Sequence, residues 1–190
     1  MTVRVRAATA DDAETLHAVA AATFALACPP HVTPESVATF VADVLSVDCF
    51  HRYLADPARD LFLAEEQGED AAGEDAGDVA VVVPAGYAML VDGEPADPDV
   101  QAALRLRPTA ELSKIYVLPG HHGAGVSRLL MEATLEAAAR RGAAGVWLGV
   151  NQLNERAQRF YRKSGFEQVG TKRFLVGDRY EDDYVFERPL

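Results

Sequence analysis

The stretch Ile115-Tyr116-Val117-Leu118-Pro119-Gly120-His121-His122-Gly123-Ala124-Gly125-Val126-Ser127-Arg128-Leu129-Leu130 joins a strand pattern to a helix pattern through a glycine-rich turn. Such a turn aims several unpaired backbone N–H groups of the helix's first turn at one point, and the helix dipole adds partial positive charge there. The result is an anion site, for which a pyrophosphate is a natural guest. A glycine turn of this kind is also often just a tight reversal, so the guest must be argued separately. A phosphate-binding loop of the nucleotide-hydrolysing type needs a Lys after its last glycine, and this turn has none. A dinucleotide fold needs the unit early in a series of parallel strands. Here it lies well past the middle of the chain, after strands that read as antiparallel. Coenzyme A, which also carries a pyrophosphate, remains.

The elements that must hold this turn follow from periodicity. Val3, Val5 and Ala7 alternate with Arg4 and Arg6, which predicts a first strand and not a signal peptide. Thr9 with Asp11 and Asp12 predicts a helix start, and Leu16, Val19, Ala20 and Phe24 carry the helix until Cys28-Pro29-Pro30. Thr33-Pro34 restarts one whose apolar face is Val37, Phe40, Val41, Val44 and Leu45; a shorter helix follows over 48–55. Strands are expected at 61–64, 79–91 (with a break or bulge at Pro84 and Gly86), 112–118, 146–150, 168–176 and 182–187. Residues 92–109 read as a loop. Val126, Leu129, Leu130, Ala133 and Ala137 mark an amphipathic helix closed by Gly142, and 154–163 another.

Composition narrows the setting. The 190 residues suit one domain, with residues 66–78 as an acidic flexible loop. No apolar run approaches the ~20 residues of a membrane span. Cys28 and Cys49 make neither a disulfide framework nor a metal motif, and a cytoplasmic location is the default expectation. The net charge of −11 disfavours nucleic acid, but it is unevenly placed. Residues 60–104 hold twelve Asp and Glu and no Lys or Arg, whereas from Arg105 onward 14 basic residues face 10 acidic ones. The C-terminal part can receive phosphates, and the acidic middle is either a solvated loop or an attractor of cations.

At this point the sequence resembles the GNAT superfamily of N-acetyltransferases, most densely from Glu111 to Phe166. The family turn, Arg/Gln-x-x-Gly-x-Gly/Ala, corresponds to His122-Gly123-Ala124-Gly125-Val126-Ser127, with His122 and Ser127 as departures. Downstream, Trp147-Leu148-Gly149-Val150 resembles the family's strand. Asn154-Glu155-Arg156-Ala157 and Phe160-Tyr161-Arg162-Lys163-Ser164-Gly165-Phe166 resemble the start and end of its next helix. The resemblance implies an α/β fold with a mixed, mostly antiparallel sheet of about seven strands and about four flanking helices. Two splayed parallel strands would form the cofactor cleft. It implies acetyl-CoA as co-substrate and no metal.

The resemblance also implies roles. Ile115, Tyr116 and Val117 form one lip of the cleft and residues 149–151 the other, with a backbone N–H near Val117 polarising the acetyl carbonyl. Tyr161 stands where the family has its general acid, and Asn154 where an Asn meets the pantetheine arm; packing and helix capping are the plainer roles for the two. Some members carry a Glu base on the fifth strand, where Gly149 stands here. Others carry it on the fourth, at the position of Glu111. Even spacing puts Glu111, Ser113, Ile115 and Val117 on one strand face. Arg128 and Lys163 are candidates for the cofactor's phosphates, and His121 and His122 are cofactor neighbours rather than bases.

The nearest resemblance within the superfamily is to bacterial spermine/spermidine acetyltransferases, on 111–117, 146–150 and Phe174-Leu175-Val176-Gly177-Asp178. It implies a small cationic amine as acceptor. Protein N-termini or lysines are an alternative, as is a non-catalytic acyl-CoA-binding regulator with the same fold. Oligomeric state stays open, a homodimer included; no membrane partner is expected.

Overall fold

Seven strands form one sheet in the order β1-β2-β3-β4-β5-β7-β6. The computed structural model describes residues 2–67, 82–121 and 125–190, so most of the expected acidic loop at 66–78 lies outside the described residues. The strands are β1 (Thr2–Ala7), β2 (Arg59–Gln67), β3 (Val82–Asp92), β4 (Thr109–Val117), β5 (Gly145–Asn151), β6 (Glu167–Val176) and β7 (Arg179–Pro189). All neighbours are antiparallel except β4 and β5. The helices are α1 (Ala13–Ala27), α2 (Pro34–Val44), α3 (Val47–Ala55), α4 (Pro98–Ala103), α5 (Val126–Arg140) and α6 (Glu155–Lys163).

The described residues hold six α-helices, where periodicity gave five and the resemblance about four. The addition is α4, in a stretch whose prolines read as loop. Pro98 stands at the first helical position, where it costs no hydrogen bond, and Asp97 accepts from the Asp99 N–H at 2.9 Å. At α2 the expected cap forms: the Thr33 hydroxyl accepts from the Ser36 N–H at 3.2 Å.

One sheet face packs under α1, α2 and α3 through Leu16, Phe24, Phe40, Phe50, Tyr87 and Met89. The other packs under α5 through Leu90, Leu112, Leu130, Met131, Val146 and Phe186. The break foreseen at Pro84 and Gly86 is a bulge: Ala64 pairs with Gly86 and Glu65 with Pro84, leaving Ala85 as the extra residue. A Cβ on Gly86 would stand 2.5 Å from the Tyr116 carbonyl oxygen, so only glycine lets β3 come this close to β4.

At the β1–β2 edge the Arg6 guanidinium ties three segments together. It donates to both Asp12 oxygens at 2.7 and 2.8 Å and to Glu65 at 2.6 Å. Asp12 also accepts from the Thr9 N–H at 2.7 Å. These bonds hold the Asp12 carboxyl at about 2, below its ordinary 3.8, chiefly through Arg6. Stability from this pairing is therefore full above pH ~4 and fades as pH falls toward 2. Arg6→Ala leaves two carboxylates facing each other unpaired and is expected to cost about 1–3 kcal/mol in urea unfolding at pH 7. Arg6→Lys should recover only part, because an ammonium lacks the two-pronged donor geometry.

Candidate active site

Strands β4 and β5 pair only at Thr109↔Gly145, Ala110↔Val146 and Glu111↔Trp147, then part. Beyond that point the facing edges of both strands have no ladder partner in each other. Two cavities open along the gap. One lies on the α1–α2 face, between β4, β5, β6 and β7. The other runs from the gap to Pro119 and Ser127 at the glycine turn. They share Ala27, Ile115, Tyr116, Asn154, Ala157 and Tyr161, so the cavities adjoin between the end of α1 and α6.

Helix α6 sets that junction. The Asn154 side chain accepts from the Ala157 N–H at 3.0 Å, so Asn154 is an N-cap that also lines both cavities. Tyr161 stands two turns on, packed against Phe160 and Phe166. Burial pushes its phenol well above the ordinary tyrosine value, so it stays protonated throughout the neutral range. Its hydroxyl makes no hydrogen bond among the described residues, whereas packing alone would not require it to line a cavity.

At the glycine turn, His122, Gly123 and Ala124 lie outside the described residues. Gly125 does lie within them, as the α5 N-cap with φ of 81°, a left-handed conformation that favours glycine. No side chain caps α5 and its first turn carries no acid, which fits an anion at the free N–H groups. Ser127 lines the cavity beside it, while Val126 is buried in the core and could contribute only backbone. Arg128 is exposed and donates to Glu132 at 3.2 Å, and Lys163 is exposed at the far end of α6; neither lines these cavities. His121 sits 2.8 Å from Glu66, angled off a hydrogen bond.

The face assigned to Glu111 needs correction. Met89 pairs with Lys114 and Leu90 with Leu112, so Ser113 is an extra residue in β4. This bulge reverses the alternation. Ala110, Leu112, Ile115 and Val117 belong to the α5 face, and Glu111 shares the opposite face with Lys114 and Tyr116. Glu111 thus does line the cavity, from the strand face opposite to that of Ile115 and Val117. The acidic middle of the chain plays no part in it among the described residues. Glu65 pairs with Arg6, Asp60 and Asp92 with Arg141, and Glu94 with Arg107.

Sequence reasoning missed the carboxylates that do line the cavity with Glu111. These are Glu181 and Asp183, on alternate positions of β7. His31, in the loop after α1, reaches both Glu181 oxygens at 2.9 and 3.0 Å. Asn151, Asp183 and Lys172 form one cross-strand row, and Gly149 lies two rows on, at the next position on the same face of β5. A Cβ at Gly149 would lie 2.7 Å from Lys172 Cε and 3.3 Å from Asp183 Oδ2. The Lys172 ammonium stands 5.6 Å from the Trp147 ring centre and 5.4 Å from that of Phe174. The signal was the alternation of Glu181, Asp183 and Val185, which put acids on an inward strand face. Lys114 also lines the cavity, and burial lowers its pKa.

Burial raises the Asp183 carboxyl from 3.8 to about 6, with Lys172 opposing and Glu181 reinforcing the rise. A raised carboxyl means the folded state holds the proton more tightly than the unfolded one. Stability therefore falls as pH rises from ~4 through 6 and is flat above. Asp183→Asn should be more stable than the parent at pH 8, by about 1–3 kcal/mol, and the advantage should vanish below pH ~4. Thermal unfolding across pH checks this.

The chain matches the acetyltransferase (GNAT) family over residues 25–166. It is 48% identical over 179 residues to proteins of Mycobacterium bovis and Mycobacterium tuberculosis described as uncharacterized N-acetyltransferases, covering 94% of this chain and 98% of theirs. A phosphinothricin N-acetyltransferase of Streptomyces coelicolor is 36% identical over 85 residues, covering 43% of this chain and 49% of that one. In fold, the chain is similar to the PaiA N-acetyltransferase of Thermoplasma acidophilum in complex with coenzyme A, with a TM-score of 0.72, 16% identity and full coverage of both chains. The parted parallel strands, the uncapped helix after a glycine turn and this sequence similarity together make the chain a member of the GNAT family of acetyltransferases.

Proposed function

We propose that the protein transfers the acetyl group of acetyl-CoA directly to the primary amine of a small cationic molecule, a polyamine among the candidates. The observation that carries this reading is the pair of adjoining cavities with Tyr161 at their junction, one leading to the glycine turn and the other lined by Glu111, Glu181 and Asp183. Acetyl-CoA supplies an activated acyl thioester. The chain's part is to hold, orient and manage protons.

The turn's backbone N–H groups and the α5 N-terminus take the pyrophosphate. The free edges of β4 at Ile115–Val117 and of β5 receive the extended arm as an added strand would be received, and Asn154 reaches it from α6. A backbone N–H near Val117 is placed to polarise the acetyl carbonyl. Tyr161 arrives protonated and gives its proton to the departing sulfur. Glu111 presents a carboxylate to the incoming cation from the β4 side. Lys114 lines the same wall, and burial lowers its pKa while the neighbouring Glu111 opposes that shift. The His31–Glu181 contact draws the loop after α1 against β7, which favours a small molecule over a folded protein surface.

Two measurements test this. Acetyl-CoA should raise the melting temperature, and a panel of polyamines, amino acids, peptide N-termini and lysine peptides should show turnover with the small cations; turnover of peptides alone would overturn the acceptor assignment. Tyr161→Phe should lower kcat on the order of 10²-fold or more with the acetyl-CoA thermal shift kept. An unchanged kcat would reduce Tyr161 to packing.

A further inference from the structure

We propose that Asp183 takes the proton from the attacking amine, with Lys172 beside it as the group that keeps its carboxylate ionised; the assignment rests on the amine-acetylation reading above. The geometry comes first. Glu111 lies in the last register that β4 and β5 share, Glu111↔Trp147, where the cleft begins. Asp183 stands opposite Asn151, at the other end of β5. Four residues of strand separate the two levels, roughly 13 Å. Asn154 and Tyr161, which line both cavities, belong to the helix that follows Asn151, so Asp183 is on their side of the cleft.

Gly149 makes room for this. A Cβ there would press on the Lys172 stem at 2.7 Å and crowd Asp183 Oδ2 at 3.3 Å, so the bare glycine leaves both side chains their present places. The carboxylate that β5 does not carry is presented by β7 over the same spot. Asp183 is 6% exposed and makes no side-chain hydrogen bond among the described residues, so it is desolvated and aimed into the cavity rather than tied up in structure. Tyr116, Tyr161 and Asp183 line the same cavity.

The groups facing this carboxyl come from several elements. Lys172 approaches from β6, Glu181 and Asp182 flank it on β7, and Tyr116 stands on β4. Glu111, Lys114, Tyr161 and Cys28 line the same cavity, and His31 engages Glu181. Desolvation and the flanking acids raise the carboxyl to about 6, a value suited to a base that is ionised at neutral pH yet basic enough to accept a proton. The step balances. The amine nitrogen bonds to the acetyl carbon as the carbon–sulfur bond breaks. The amine's proton goes to Asp183, sulfur takes the Tyr161 proton, and solvent returns Asp183 and Tyr161 to their starting states.

The test is kcat against pH from 5 to 9, with acetyl-CoA and the amine the wild-type protein turns over best. Wild type should show an acidic limb near pH 6. Asp183→Asn should lose that limb and roughly 10²–10⁴-fold in kcat, with amine KM nearly unchanged and the acetyl-CoA thermal shift intact. Asp183→Glu should regain the limb and part of the rate. Lys172→Met should move the limb to higher pH, because a cation that favours the carboxylate is gone. Glu111→Gln should keep the limb and raise amine KM. Loss of the limb in Glu111→Gln but not in Asp183→Asn would make Glu111 the base and overturn the proposal. A rise in KM alone for Asp183→Asn would overturn it in favour of a cation anchor. Absence of turnover by wild type on every amine would overturn the amine reading itself, and this assignment with it.

Discussion

The parting of β4 and β5 after three paired residues is the constraint on which the site depends. Each strand keeps an antiparallel neighbour on its outer side, β3 for β4 and β7 for β5, so the sheet survives the split. The inner edges are left with backbone donors and acceptors that need partners. An extended, amide-bearing arm can supply them, and the glycine turn at the end of β4 offers its uncapped helix to the charged end of the same molecule. The same parting lets the two cavities adjoin, so a donor on one side can meet an acceptor on the other.

Two irregularities then decide which side chains meet there. The extra residue Ser113 reverses β4's alternation, turning Ile115 and Val117 toward the α5 core and Glu111, Lys114 and Tyr116 toward the α1–α2 face. On β5, the missing side chain of Gly149 admits Asp183 and Lys172 from the next two strands. The site's electrostatics are thus assembled across strands. A carboxylate and an ammonium share a desolvated wall, while Trp147 and Phe174 flank the ammonium and limit its solvation. Burial acts on the Asp183 carboxyl against its ionised form, and the Lys172 cation opposes that shift.

The local sequence was a reliable guide wherever the information is itself local. The strand and helix on either side of the glycine turn formed where periodicity put them, and the Thr33 cap formed as read. Asn154 and Tyr161 were legible because seven residues on one helix fix their relation through helical geometry. By contrast α4 was hidden by prolines that mark both loops and first helical turns, and Asp97 was the cue.

What the chain determined by itself was therefore the order of elements, the glycine turn that opens α5, the helix that carries Tyr161, and through these the family. Tertiary structure decided which carboxylates line the cavity. The acid-rich middle read as a solvated loop or an attractor of cations, and among the described residues Glu65, Asp60, Asp92 and Glu94 pair with Arg6, Arg141 and Arg107. The cavity takes its negative charge from β7 instead, more than 70 residues after Glu111 in the chain. The reason is physical. Strand parity reverses at a single inserted residue, and cross-strand neighbours are set by sheet order, neither of which a one-dimensional pattern encodes.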